Sequence, residues 1–387
     1  MNFEFTQEQT LFADSVRRFA LAALGKDALA RAHAAGFPFD VAKLMSQQGL
    51  MGITITQSDG GQGGTLMDAI IAIEQVAAAC PRSADVVQFG NFGPIRTFAE
   101  YGTPAQKARW LPDLLAGRMV LSLGMTEPEA GSAVTDLTTS ARPDGSGFLI
   151  NGTKVFSTFS PDAAIFLVYV RYGPGLDGIG SVIVERGTPG FTVGPPSSFM
   201  SGEQWCELHF ENCRIAAENV LLGAGGFKKQ MASFNVERLG NASRALALGR
   251  YAYNAARAHA TSREQFGRPL CEFQGLQWKF AEMAIKLESA QLLLYRAAVN
   301  ADRGLPSAYE TAIAKAACNQ TGFEVANDSI QVMGAYGYSQ SLVEYCMRRT
   351  RGWMIAGGSI EMLKNRIAEH VFDRRFDQRK RHADAAE

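Results

Sequence analysis

Several short patterns in this 387-residue chain have residue types that do chemistry in other proteins. Gly173, Gly175 and Gly178 satisfy the GxGxxG spacing that lets a backbone approach a pyrophosphate, and a strand-like run precedes them. That chemistry also needs a following helix whose N-terminus meets the phosphates. Here GIGSVIVERG follows, which reads as another strand, and Pro174 interrupts the glycines, so the pattern predicts a hairpin loop. Gly223, Gly225 and Gly226 precede Lys228 and Lys229 without the Lys-Ser/Thr step of a phosphate-binding loop. The five histidines form no HExxH pair, the six cysteines form no CxxC pair, and no GxSxG is present. No metal site is expected, and hydrolytic chemistry loses its usual support. Glu237 and Arg238, in FNVERL, read by themselves as a solvent-facing pair early in a helix.

The elements that must hold these residues read as helix, then strand, then helix. Thr6 with Gln9 and Thr103 with Gln106 fit the Thr-x-x-Gln capping box, and Thr65 with Asp68 is a looser version before IIAIEQVAAA. The glycine-rich SDGGQGG (58–64) breaks the helices around it. From about Leu121 the segments GFLINGTKVFS, AIFLVYVRY, GSVIVERG, FTVGP and CELHFENCRI are short, β-branched or aromatic, and punctuated by turn residues. After Gly226 long helices return. Leu276, Phe280, Met283, Leu287, Ala290 and Leu294 form an apolar stripe, repeated by Phe323, Ala326, Ile330 and Met333, with a break at Gly304–Pro306. The 38 basic and 38 acidic residues cancel, so no electrostatic footprint for nucleic acid or an anionic membrane is expected. The N-terminus has Glu4, Glu8 and Asp14 and lacks the apolar core of a signal peptide, and no run reaches a membrane-spanning length. A cytoplasmic location is the expectation.

Five segments stand out by their order: MTEPEAGS (125–132), SREQFGRPL (262–270), FQGLQWKFAEMA (273–284), QVMGAYGY (331–338) and AGGSIEM (356–362). Singly, each reads as an ordinary turn, helix end or core helix. Together, over essentially the whole chain, they resemble the acyl-CoA dehydrogenase family. The resemblance implies an α+β fold: an N-terminal helical domain over 1–120, a middle antiparallel β domain over 121–227, and a C-terminal four-helix bundle over 228–387. It also implies one FAD per subunit, a homotetramer, an acyl thioester of CoA or of a carrier protein as substrate, and an electron-transfer flavoprotein as partner. By the same resemblance Met125, Thr126, Gly131 and Ser132 lie against the flavin, with Ser132 also near the CoA portion. KVFSTF matches the family's Trp-x-Thr segment, placing Phe156 at the ring and Thr158 near flavin N5. Arg263, Gln265, Phe266 and Gln274 match residues that hold the FAD diphosphate and adenine of a neighbouring subunit. Gln331 and Gly334 match a Gln-x-x-Gly-Gly loop whose second glycine is Ala335 here, and Ser359 and Glu361 align with the polar pair after Glu-Gly-Thr. Three departures concern substrate contacts: GSA replaces GSD at 131–133, MSGEQW lacks Gly-x-Arg, and Glu369 stands where arginine is common.

The resemblance also raises a chemical problem. Most members keep the catalytic glutamate just before Gly-Thr, and this chain has Gly357 there. Glu237 matches the segment where isovaleryl-type and long-chain members carry their base instead, with Arg238 beside the active site. Gly357 still offers a backbone N–H to the enolate oxygen. A carboxylate moved from 237 to 357 is expected to restore some activity, because the two positions approach the same hydrogen. CPRSADVVQ (80–88) is similar to a glutaryl-CoA dehydrogenase stretch, with Gln88 in step, which makes Arg82 a candidate partner for an acidic substrate tail. Other functions stay open: an enoyl-thioester reductase, suggested by the AGGS segment; a carrier-protein acyl dehydrogenase; and a flavin-binding protein without turnover. Desulfinating relatives lack a carboxylate at both positions, so Glu237 argues against that chemistry.

Overall fold

The structure, a computed structural model, describes residues 4–301 and 304–376. The N-terminal helices include α1 (Gln7–Ala23), α2 (Leu66–Ala79), α3 (Ala84–Asn91) and α4 (Pro104–Leu115). Helices α1, α2 and α4 begin in complete capping boxes at Thr6, Thr65 and Thr103. The looser Thr65–Asp68 match closes as fully as the others, since aspartate reaches the N-cap amide at 2.8 Å. Helix α2 is buried nearly all round, which fits its almost wholly apolar sequence.

Strands then run from β1 (Leu121–Gly124) through β2 (Ser140–Asp144), β3 (Gly147–Thr158), β4 (Ile165–Arg171), β5 (Ile179–Glu185), β6 (Phe191–Val193), β7 (Gln204–Ala216) and β8 (Val220–Leu222). Their order across the sheet is β6-β7-β3-β2-β4-β5-β8, with β1 alongside β4. Most neighbours are antiparallel, but β1 and β4 pair in parallel, as do Ser140 and Arg171 between β2 and β4. The β2–β3 hairpin lies between β1 and β4 in the chain, and this long connection lets β4 return in the direction of β1. Gly173, Gly175 and Gly178 close the β4–β5 hairpin, where Arg171 faces Ile179, and no helix follows them.

The C-terminal bundle comprises α5 (Phe227–Ser262), α6 (Gln274–Val299), α7 (Ala308–Met333), α8 (Leu342–Trp353) and α9 (Ile360–Val371). On α6, Met283, Leu287, Ala290 and Leu294 are fully buried, and each larger side chain contributes roughly 1.5–3 kcal/mol by leaving water. Helices α5 and α7 touch backbone to backbone. A Cβ on Gly249 would lie 2.8 Å from Gly322 Cα, and one on Gly322 would lie 2.2 Å from the Ala245 carbonyl. That close approach brings a polar stretch of α7 up to the face of α5 that bears Glu237.

Candidate active site

Glu237 and Asn241 are four residues apart on α5 and share a face. Gln88 of α3 crosses that face and donates from Nε2 to Glu237 Oε1 at 3.1 Å and to Asn241 Oδ1 at 2.5 Å. Arg244 donates to Gln88 Oε1 at 3.1 Å, which fixes the direction of the amide. The second carboxylate oxygen of Glu237 is buried and has no hydrogen-bond partner among the described residues. Gly93 leaves room beside it, since a Cβ there would approach Oε2 to 3.3 Å. Burial pushes the Glu237 carboxyl from 4.5 up to about 7, against smaller opposing pulls from Gln88, Lys315 and Asn241. One oxygen is therefore held and the other is free, on a group that changes charge near neutrality. That is the equipment of a general base.

Arg238 turns away from its neighbour. It donates to the Gly357 carbonyl at 3.2 Å and to Asn235 Oδ1 at 2.9 Å. Gly357 and Gly358, between α8 and α9, hold φ at 71° and 91°, a region that glycine enters without strain. A Cβ on Gly357 would sit 2.5 Å from Asn241 Nδ2, a buried donor without a hydrogen-bond partner among the described residues. The expected transfer of a carboxylate from 237 to 357 therefore does not fit by itself: Asn241 occupies the space and the backbone resists a side chain. Lys315 was not anticipated from the sequence, yet it is fully buried on α7 and reaches the same loop. The available signal was a lysine set among Ala312, Ala314 and Cys318 on an otherwise buried helix face.

The expectation for Arg82 needs correcting. Its side chain is buried, but Asp85 lies at 2.5 Å and Glu203 at 2.8 Å, so its charge is already paired inside the chain. It also donates to the Gly36 carbonyl at 3.0 Å. Arg349 contacts Glu203 at 3.3 Å and Asp85 at 3.4 Å, and Arg244 also contacts Asp85. The two neighbouring arginines hold Glu203 below the ordinary carboxylate range despite its burial. Asp85 lies three residues along in the same motif, whereas Glu203 is 121 residues away and could not be read from it.

Sequence profiles of the acyl-CoA dehydrogenase N-terminal, middle and C-terminal domains match residues 6–118, 122–213 and 224–372. This chain belongs to the acyl-CoA dehydrogenase family. Relatives include a 3-sulfinopropanoyl-CoA desulfinase of Paraburkholderia xenovorans, 32% identical over 98% of this chain and 99% of that protein. An acryloyl-CoA reductase (NADH) of Anaerotignum propionicum is 34% identical over 97% of each chain. Among solved structures, butyryl-CoA dehydrogenase from Megasphaera elsdenii superposes with a TM-score of 0.89 at 30% identity, covering 96% of this chain and 100% of that one. Acyl-CoA dehydrogenases are oxidoreductases acting on CH–CH bonds, and the three-part fold described above is theirs.

The segments matched to the family's flavin site fall into two groups. Met125, Thr126, Gly131 and Ser132 follow β1, and the Thr126 carbonyl accepts from Val155 of β3 at 2.9 Å. Below them Lys154, buried on β3, pairs with Glu127 at 2.8 Å and donates to the Met125 carbonyl at 3.2 Å. Glu127 accepts further bonds from the Thr138 and Thr139 amides, and these with Lys154 hold its pKa down to about 2. A bulge after Lys154 turns Phe156 outward at φ 59°, 54% exposed, with its ring 4.6 Å from that of Trp205. Thr158 ends the same strand. The second group starts at the far end of α5, where Glu264–Gln265 and Arg268–Pro269 form a short hairpin. Phe266 at its tip is 95% exposed, and Arg263 and Gln265 are also exposed. Gln274 opens α6, while Gln331 and Gly334 close α7; an apolar cluster that includes Ala260, Val332 and Leu270 keeps these ends together. Ser359 caps α9, and Glu361 lies in its first turn. A braced loop beside an outward aromatic fits one face of a flavin. The hairpin leaves its arginine and aromatic groups exposed, chemistry that suits a diphosphate such as the one FAD carries.

Proposed function

We propose that this protein oxidises an acyl-CoA thioester to the 2,3-enoyl thioester, with Glu237 as the α-proton base. The observation that carries the reading is the Glu237 carboxyl, buried, raised to about 7 and free at one oxygen, beside a glycine loop that supplies no carboxylate. Glu237 takes the α-hydrogen as a proton, the β-hydrogen leaves with its electron pair, and the double bond forms between the two carbons. FAD, when bound, supplies the acceptor for that hydride. The Gly357 N–H binds the thioester oxygen as charge builds there, and Arg238 fixes the following peptide through the Gly357 carbonyl. Met125, Thr126, Gly131, Ser132, Phe156 and Thr158 hold the flavin end. Arg263, Gln265, Phe266, Gln274, Gln331, Gly334, Ser359 and Glu361 complete the cofactor site in a homotetramer. An electron-transfer flavoprotein removes the electrons, and the enzyme works in the cytoplasm.

A second reading runs the same groups in reverse. A carboxyl near 7 is substantially protonated at neutral pH, so Glu237 could deliver a proton to an enoyl thioester as readily as it takes one. An anaerobic panel of acyl and enoyl thioesters, on CoA and on a carrier protein, separates the readings. Bleaching of the yellow enzyme by a saturated thioester supports oxidation, and recolouring of the reduced enzyme by enoyl thioesters alone supports reduction. A flavin-loaded protein that responds to neither class refutes both.

A further inference from the structure

Lys315 stands behind the loop that carries Gly357. Its Nζ donates to the carbonyls of Ala356 at 2.9 Å, Gly358 at 3.0 Å and Trp353 at 3.2 Å. Burial and the nearby Arg238 bring the Lys315 pKa down from 10.5 to about 7, the Glu237 carboxylate pulls it back up, and the three carbonyls accept all three protons of the ammonium form. Asn319, one turn further along α7, adds a second donor to the Trp353 carbonyl at 2.6 Å. From the opposite side Arg238 takes the Gly357 carbonyl. Four carbonyls of one short loop are thus drawn onto side chains of α5 and α7. The N–H of Gly357, in contrast, meets no backbone or side-chain acceptor among the described residues.

We infer that Lys315 is a positioning residue for the reaction: it orients the 353–358 loop so that the Gly357 N–H faces the thioester oxygen, and its charge polarises the peptide groups it holds. The inference rests on the proposed acyl-CoA chemistry and adds to it a residue that touches neither substrate nor cofactor. A cation bound on the carbonyl side makes the opposite N–H a stronger donor, because successive hydrogen bonds polarise one another in a low-dielectric interior. The donor is also preorganised, so little reorganisation is needed when negative charge develops on the substrate. The same ammonium lies within electrostatic reach of the Glu237 carboxylate and opposes the upward push of burial on its pKa. Lys315 would therefore support both ends of the proton transfer, the enolate oxygen and the base. A purely structural lysine would need neither an unpaired N–H on the far side of the loop nor a place beside Glu237.

The test compares two four-carbon ligands on the FAD-loaded enzyme. Acetoacetyl-CoA, acidic between its two carbonyls, can ionise to an enolate that shares negative charge with the thioester oxygen, whereas crotonyl-CoA stays neutral. Lys315→Met should weaken acetoacetyl-CoA by ~10–100-fold, less than the ~100–1,000-fold of removing an oxyanion donor outright because the Gly357 N–H remains, and crotonyl-CoA by less than about threefold. Ethylammonium added to Lys315→Ala should recover part of the acetoacetyl-CoA affinity. If the methionine variant does not fold, Lys315→Gln keeps a donor to the loop without the charge, and the same selective loss is expected of it. Equal weakening of both ligands, or no weakening of either, overturns the inference. A wild-type enzyme that binds neither thioester counts first against the acyl-CoA reading, and the inference falls with it.

Discussion

Glu237→Gln tests the base directly. The substitution is nearly isosteric: glutamine Oε1 can still accept from Gln88 Nε2, now 3.1 Å from the carboxylate, so the fold around α3 and α5 should persist. What disappears is the free oxygen that takes the proton. The rate of flavin bleaching by substrate should fall by at least ~100-fold, with binding nearly unchanged. The raised pKa supplies two further readouts. With a value of about 7, roughly 1% of wild-type enzyme has an ionised Glu237 at pH 5, so bleaching should climb about a hundredfold from there to its plateau. For stability the sign is reversed. The folded state holds this proton more tightly than the unfolded chain, whose carboxyl titrates near 4.5, so its contribution falls as pH rises from about 4.5 to about 7. At 1.36 kcal/mol per pH unit, the ionised carboxylate costs the fold up to roughly 3 kcal/mol above that window. The glutamine variant should melt higher than wild type at pH 8 and no higher at pH 4. Stopped-flow bleaching under anaerobic conditions and a pH series of melting curves measure both. A glutamine variant that bleaches within tenfold of wild type refutes the assignment, as does a wild-type rate that is flat from pH 5 to pH 8.

Arg82→Met should cost about 3–5 kcal/mol, because it leaves Asp85 and Glu203 buried beside fewer cations, and the ranking of dicarboxylic against alkyl thioesters should not change. A reversal of that ranking with stability intact would reinstate the reading taken from the local motif. Lys154→Met should strand the Glu127 carboxylate, lower stability by a similar ~3–5 kcal/mol, and release the 125–132 loop, so FAD content after purification should drop. Full FAD content in a stable Lys154→Met protein would show that the loop needs no brace. Arg263→Ala should reduce FAD occupancy and the sedimenting oligomer together, since a ligand held between subunits stabilises only their assembled form. A stable monomer with its full complement of FAD would contradict it.

What the sequence made legible was local or periodic. Thr6, Thr65 and Thr103 mark helix starts because capping is completed within four residues. The hairpin at Gly173–Gly178 could be read because a strand pattern, not a helix pattern, follows it. The site was less accessible. Glu237 could be singled out only by resemblance, since FNVERL carries no sign of whether the carboxylate is buried. Gln88, which holds it, comes from α3 and the charge of Lys315 reaches it from α7, and neither relation leaves a spacing to read. Arg82 shows the same limit in reverse. The motif around it was legible, but Glu203, which helps neutralise it, arrives from the turn before β7. Parallel pairing of β1 with β4 was equally invisible, because it depends on the route of the intervening hairpin and not on either strand's own residues.

The crowding at Gly357 has a consequence for descent. With Glu237 as the proposed base, a lineage cannot easily move that role from α5 to the loop. Placing glutamate at 357 first forces a side chain into a left-handed backbone and against the Asn241 amide. Losing Glu237 first leaves no base at all. Trimming Asn241 first removes a hydrogen-bond partner of Gln88, the residue that holds Glu237. Each single step passes through a weakened enzyme, so the arrangement is self-locking, and its descendants should vary the acyl pocket around a fixed base and not by exchanging one base position for the other.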